Sequence, residues 1–210
     1  MRGKSLVLLF ALLLQLVLYP LLLDVGVMGS IPLALSVSLG PLAAIYFMAS
    51  DKKRLVIALA LGIPLEVIGL IRAFAPQVSV SSFYAALGLG FYGYAVSAIV
   101  SDIISLRAIN LATISDAASG YLLLGIAWIA LYALLEDVRG GSFVHLGGTF
   151  DLTYYSFVIL TGVGSSTVLP NSALAQSLTI LVAVVGVLYV AILVALLVGV
   201  YSASVSGRSR

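Results

Sequence analysis

Long apolar runs separated by short polar breaks set the pattern of the chain. The first run, residues 6–23, follows the basic start Arg2 and Lys4 and stops at Asp24. Its length, with no small-residue cleavage pattern after it, predicts a retained helix rather than a removed leader. The second run, 31–49, carries Pro32 in its first turn, where a missing N–H costs nothing, and Pro41 further in, where a kink is expected. Asp51, Lys52, Lys53 and Arg54 end it. The third helix is expected at 55–75 with Pro64 inside, and the fourth at 83–106, stopping at Arg107. A polar linker is expected at 110–116, then a fifth helix at 117–135 ending at Glu136 and Asp137. A Gly-rich loop with His145 follows. Asp151 is placed to N-cap a short helix through about residue 160. After a loop at 161–170, Asn171 or Ser172 caps a last helix at 173–203.

The runs around 151–170 are long enough to cross a bilayer; the stretch itself is not. The pattern therefore predicts an all-α membrane protein with six transmembrane helices and a re-entrant pore helix and filter loop between the fifth and sixth. It divides into a four-helix N-terminal membrane domain, 1–110, and a pore domain, 111–210. Arg2, Lys4, Lys52, Lys53, Arg54, Arg107, Arg208 and Arg210 fall on one side of this topology, whereas Arg139 falls clearly on the other. The positive-inside rule then makes both termini cytoplasmic and brings the loop in from outside.

Composition narrows the class. Of 210 residues, 62% are hydrophobic and 9% charged, with a mean hydropathy of +1.24. A soluble domain of this size cannot bury so much apolar surface, so the lipid bilayer is the expected partner. With no Cys and one His, disulfides, thiolate metal sites and multi-histidine sites are excluded. No catalytic constellation is evident, and no room is left for a soluble catalytic domain, so the chain does not read as an enzyme. Gly88, Gly90 and Gly93 fit G-x-G-x-x-G but lack the strand and βαβ context of a nucleotide site; close helix packing is the better reading. Neither nucleotide nor nucleic acid is expected to bind. Glu66 is the deep charge, one and a half turns before Arg72, and reads as structural bracing. The fourth helix has no arginine ladder, so gating by that route is not expected.

Non-helical backbone at membrane depth must be buried in protein or line water. Thr161, Gly162, Val163, Gly164, Ser165 and Ser166 suit a water-lined row of backbone carbonyls able to replace an ion's hydration shell. The C-terminal end of the preceding helix adds partial negative charge that favours a cation. One loop cannot surround an ion; four copies can, which predicts a homotetramer. Glu136, Asp137 and Asp151 are placed to form acidic rings at the outer mouth. No cofactor is expected beyond a permeant monovalent cation, potassium or sodium.

Residues 161–167, Thr-Gly-Val-Gly-Ser-Ser-Thr, resemble the TTVGYGD signature of prokaryotic potassium channels with a two-helix pore domain. Thr161, Val163 and Gly164 agree with it. The resemblance extends over about 115–201, through Tyr121 to Gly125, Tyr132 to Glu136, Gly141 to Phe143, Tyr154 to Val158 and Leu188 to Gly199. It implies a plasma-membrane channel, bacterial or archaeal, with a gating hinge at Gly186. It also implies what is altered. Gly162 stands where the family has a threonine ligand, Ser165 where a tyrosine braces the filter, Ser166 where a glycine takes positive φ, and Thr167 where an aspartate pins the outer filter. A wider filter with weak potassium selectivity is expected, and a loop rewritten as TVGYG from Gly162 to Ser166 is the natural repair. The competing readings are a non-conducting structural or regulatory subunit that keeps the channel fold, and a small transporter or membrane enzyme.

Overall fold

The computed structural model describes residues 2–25, 30–75, 80–104, 111–147, 150–165 and 167–206. Ser166, Arg107, Arg208 and Arg210 lie outside the described residues. The chain runs α1 (Arg2–Asp24), α2 (Ser30–Met48), α3 (Lys52–Phe74), α4 (Ser81–Ile104), α5 (Leu111–Arg139), β1 (Phe143–Val144), α6 (Asp151–Leu160), β2 (Leu169–Pro170) and α7 (Ala173–Ser206). Five helices, α1, α3, α4, α5 and α7, are long and apolar enough to cross a membrane, and α2 carries a shorter apolar stretch at Ala34–Met48.

Helices α1 to α5 close into a ring: α1 packs on α2, α2 on α3, α3 on α4, α4 on α5, and α5 back on α1. One core fills this ring around Leu8, Leu65, Phe91, Ile99 and Leu123. A second core, around Trp128, Tyr132, Phe143, Tyr155, Leu160 and Val182, joins α5 to α6 and α7. Helix α5 thus serves both cores. Polar contacts fasten one end of the ring. Lys4 reaches Ser50 Oγ at 3.1 Å and Tyr46 at 5.0 Å to the ring centre. Arg54 pairs with Asp102 at 2.7 Å.

Three expectations change. Residues 111–116, read as linker, are the first turns of α5. Their polar side chains looked solvated, but Thr113 and Ser115 are buried where α5 packs on α1 and α4. The Asp51 cluster does more than end α2: Asp51 accepts from the Lys53 N–H at 2.8 Å and N-caps α3. The N-cap of α6 is Phe150, and Asp151 stands in the first helical turn. Its carboxylate instead accepts from Gly147 N–H at 2.6 Å. By contrast, Ser172 caps α7 as expected, accepting from Ala175 N–H at 3.1 Å.

Helix α6 has 10 residues, about 15 Å of rise against a hydrocarbon core of about 30 Å. Its neighbours hold it at every turn. Tyr155 OH and Thr179 Oγ1 are 2.7 Å apart, tying α6 to α7. Ser156 Oγ donates to the Gly125 carbonyl at 2.8 Å, tying it to α5. Phe157 presses its ring edge onto Gly125, where a Cβ would meet that ring at 2.5 Å. At the C-terminal end, Tyr121 OH donates to the Leu160 carbonyl at 3.0 Å. Gly186 of α7 lies against that same carbonyl, and a Cβ there would collide with it. Because the obstacle is backbone, it cannot swing aside as a side chain would. Gly186→Ala is expected to destabilise the purified protein by about 1–3 kcal/mol, the usual range for overpacking. Gly93→Ala in α4, where an added methyl meets nothing within 4 Å, should stabilise it by up to about 1 kcal/mol. Unfolding of both variants in the same detergent checks the pair; equal and favourable shifts would remove the packing role of Gly186.

Candidate functional site

Thr161 closes α6. Its N–H bonds the Phe157 carbonyl at 3.0 Å, and its hydroxyl donates to the same carbonyl at 2.8 Å. Two more amides fold back onto the last turn: Gly162 N–H to Ile159 O and Gly164 N–H to Val158 O, each at 3.0 Å. To fold back this tightly the backbone takes φ of +78° at Gly162 and +84° at Gly164. Side chains with a Cβ rarely adopt that region, which explains glycine at both positions.

This hairpin of amides leaves the carbonyls of Thr161, Gly162, Val163 and Gly164 accepting no hydrogen bond among the described residues. These residues are also exposed, Val163 by 78%, and a Cβ at Gly162 or Gly164 would meet nothing within 4 Å. An apolar side chain and a row of acceptors without donors among the described residues therefore stand clear of the chain's own helices. Backbone acceptors need a partner in water, an ion or another chain.

The outer half of the loop is fastened differently. Ser165 Oγ lies 3.4 Å from Thr167 Oγ1 and accepts from Val168 N–H at 3.3 Å. Two residues that depart from the potassium-channel signature thus brace each other locally. Val168 is buried, and Leu169 pairs antiparallel with Val144, as Pro170 does with Phe143. Asn171 N–H continues the link to Ser142 O at 2.8 Å. The strand pair fixes the exit of the loop to the segment after α5.

Of the remaining expected site residues, Glu136 accepts from Gly141 N–H at 2.7 Å and from Phe143 N–H at 3.1 Å, so its carboxylate organises the turn after α5. Asp151 holds Gly147, and Asp137 is exposed. His145 is exposed with φ of +63°. Gly186 sits behind the loop, against the end of α6. The structure brings Thr161 to Ser165 together with Gly186 through Leu160; the three carboxylates each have their own surroundings. Sequence reasoning missed Tyr121, Ser156 and Thr179, the side chains that hold α6. Their signal was faint: single hydroxyls inside apolar helices, each at the level of a short helix that needs support.

The profile of a protein family described as ion channel matches residues 118–203, which take in most of α5, all of α6 and the loop, and most of α7. No curated protein and no solved structure matches the chain. The match speaks for transport rather than catalysis. The carboxy-terminal segment is thus similar to the ion channel family of the pore-loop type, on a chain whose long apolar helices make it a multi-pass membrane protein.

Proposed function

We propose that the chain is the subunit of a homotetrameric pore-loop channel that passes monovalent cations, potassium or sodium, with weak selectivity. The observation that carries this reading is the row of carbonyls from Thr161 to Gly164 on exposed residues, with no donor among the described residues, made by two glycines at positive φ. Four such rows about an axis would supply the oxygens that replace ion hydration, next to the negative end of α6. Ser166 would complete the filter. In this reading α2 spans with the five longer helices, α6 and its loop re-enter from outside, and the end of the bundle holding Lys4 and Arg54 is cytoplasmic. The resemblance to prokaryotic channels would make that membrane a plasma membrane, and the positive-inside rule would leave both termini cytoplasmic. In the same reading residues 1–110 form the N-terminal membrane domain and residues 111–210 the pore domain, and α5 contributes to both cores. Glu136, Asp137 and Asp151 would add negative potential at the mouth, and a bend at Gly186 would loosen its contact with Leu160 and so couple α7 to the loop.

Weak selectivity follows from the outer loop. The Ser165–Thr167 contact is short-range and spans no distance to neighbouring helices, so the ring of oxygens is free to widen. The same observation favours a second reading, a non-conducting subunit that keeps the channel fold. Purified full-length protein in liposomes separates them. Opposed sodium and potassium solutions are expected to give a reversal potential near zero. A potential tracking potassium alone contradicts weak selectivity, and flux no greater than in empty liposomes favours the second reading.

Gly164→Ala forces a Cβ onto a φ of +84°, at a cost of about 1–2 kcal/mol. It is expected to reduce flux while leaving the oligomer intact by size-exclusion chromatography. Undiminished flux would mean the loop does not carry the ions. The gain-of-selectivity variant keeps Gly162, whose φ of +78° suits no threonine, and changes only Ser165→Tyr and Ser166→Gly.

A further inference from the structure

Beside the core of the ring, a cleft of about 690 Å³ opens among α1 to α5 and reaches α6, within the usual range of small-molecule sites, about 300–1,000 Å³. Its wall is mostly apolar, as such sites are, with a few polar groups that converge. Leu12, Leu65 and Ile126 supply apolar surface, and Tyr92 an aromatic one. One charged group stands deep in it. Glu66 lies six residues before Arg72 on α3, about 9 Å further into the bundle.

The Glu66 carboxylate accepts from Ser38 Oγ across the cavity wall. Among the described residues no cationic side chain lies within ion-pair distance of it. Arg72, the nearest cation in sequence, is turned over the Tyr84 ring at 4.8 Å. Toward the same end as Arg72 the wall adds Glu136 and Asp137, so the carboxylates bordering the cavity outnumber the cations. A carboxylate half removed from water beside apolar and aromatic walls suits a ligand with a cationic head and an apolar body.

We infer that this cavity is a binding site for a lipophilic organic cation, its ammonium at Glu66 and its apolar body against α1, α4 and α5. The cavity also borders Leu152, Thr153 and Phe157 of α6. An occupant would therefore touch the helix that carries the loop and would bias its position.

Equilibrium dialysis with tritiated phenylpropyl-trimethylammonium tests the site on the full chain in nanodiscs, with empty nanodiscs subtracted. Saturable binding is expected. Glu66→Gln should weaken it by roughly tenfold or more, because one partner of a desolvated charge pair is lost. Ala34→Phe, which puts a ring into the cavity one turn from Ser38 and leaves Glu66 in place, should weaken it severalfold. On the unaltered protein, the uncharged tert-butyl isostere of the probe should fail to compete, a result that depends on no variant folding. Equal affinity in Glu66→Gln, equal affinity in Ala34→Phe, or full competition by the isostere would each overturn the assignment. Binding is read without ion flux, so its failure is distinct from failure of the channel reading.

Discussion

The carbonyl of Leu160 is the point on which the architecture turns. A helix of 10 residues must have its last backbone acceptors satisfied or held beside water. Here amides of Thr161, Gly162 and Gly164 turn back to Phe157, Ile159 and Val158, while the Tyr121 hydroxyl takes Leu160. That leaves the next four carbonyls, from residue 161 to 164, without protein donors among the described residues. The same backbone that finishes the helix thereby produces the free acceptors of the loop. Gly186 and Gly125 let α7 and α5 approach closely enough to hold this arrangement.

Support for the short helix comes from two directions. On one side an aromatic group of Tyr132, Phe143 and Tyr155, with ring centres 5.2 to 5.5 Å apart, fills the space between α5, β1 and α6. On the other, α7 contributes Thr179 and Gly186. Helix α7 spends little of its surface on the rest of the chain: Ile180, Val187, Ile192 and Val198 are all exposed. A helix apolar all round that is covered on one face only must meet lipid or further copies on the others. The N-terminal ring, by contrast, closes on itself through α5 and leaves a cavity with its own chemistry.

Much of the fold was legible from the sequence. Apolar runs located every helix within a few residues except the start of α5. There the polarity of Thr113 and Ser115 gave the wrong answer, because burial between packed helices overrides local composition. Capping was half legible: Ser172 follows the rule, and so does Asp51, which caps α3 although the sequence pattern marks it only as the end of α2, while Asp151 acts on the Gly147 amide in a turn that only the three-dimensional path defines. In the loop, two glycines two apart suggested a backbone feature, and positive φ at both is the physical content of that spacing. The Ser165–Thr167 contact was not legible, since comparison with the potassium-channel signature registers both residues only as losses. The depth of Glu66 was legible, but its Ser38 partner, 28 residues away, was not.

A density map of the full chain in lipid nanodiscs tests the central claim most directly. The account predicts fourfold symmetry, with residues 161–165 of each copy converging on the axis and their carbonyl oxygens facing a continuous path through the centre. A monomer, or an assembly in which these segments face lipid or sit apart from one another, would contradict it.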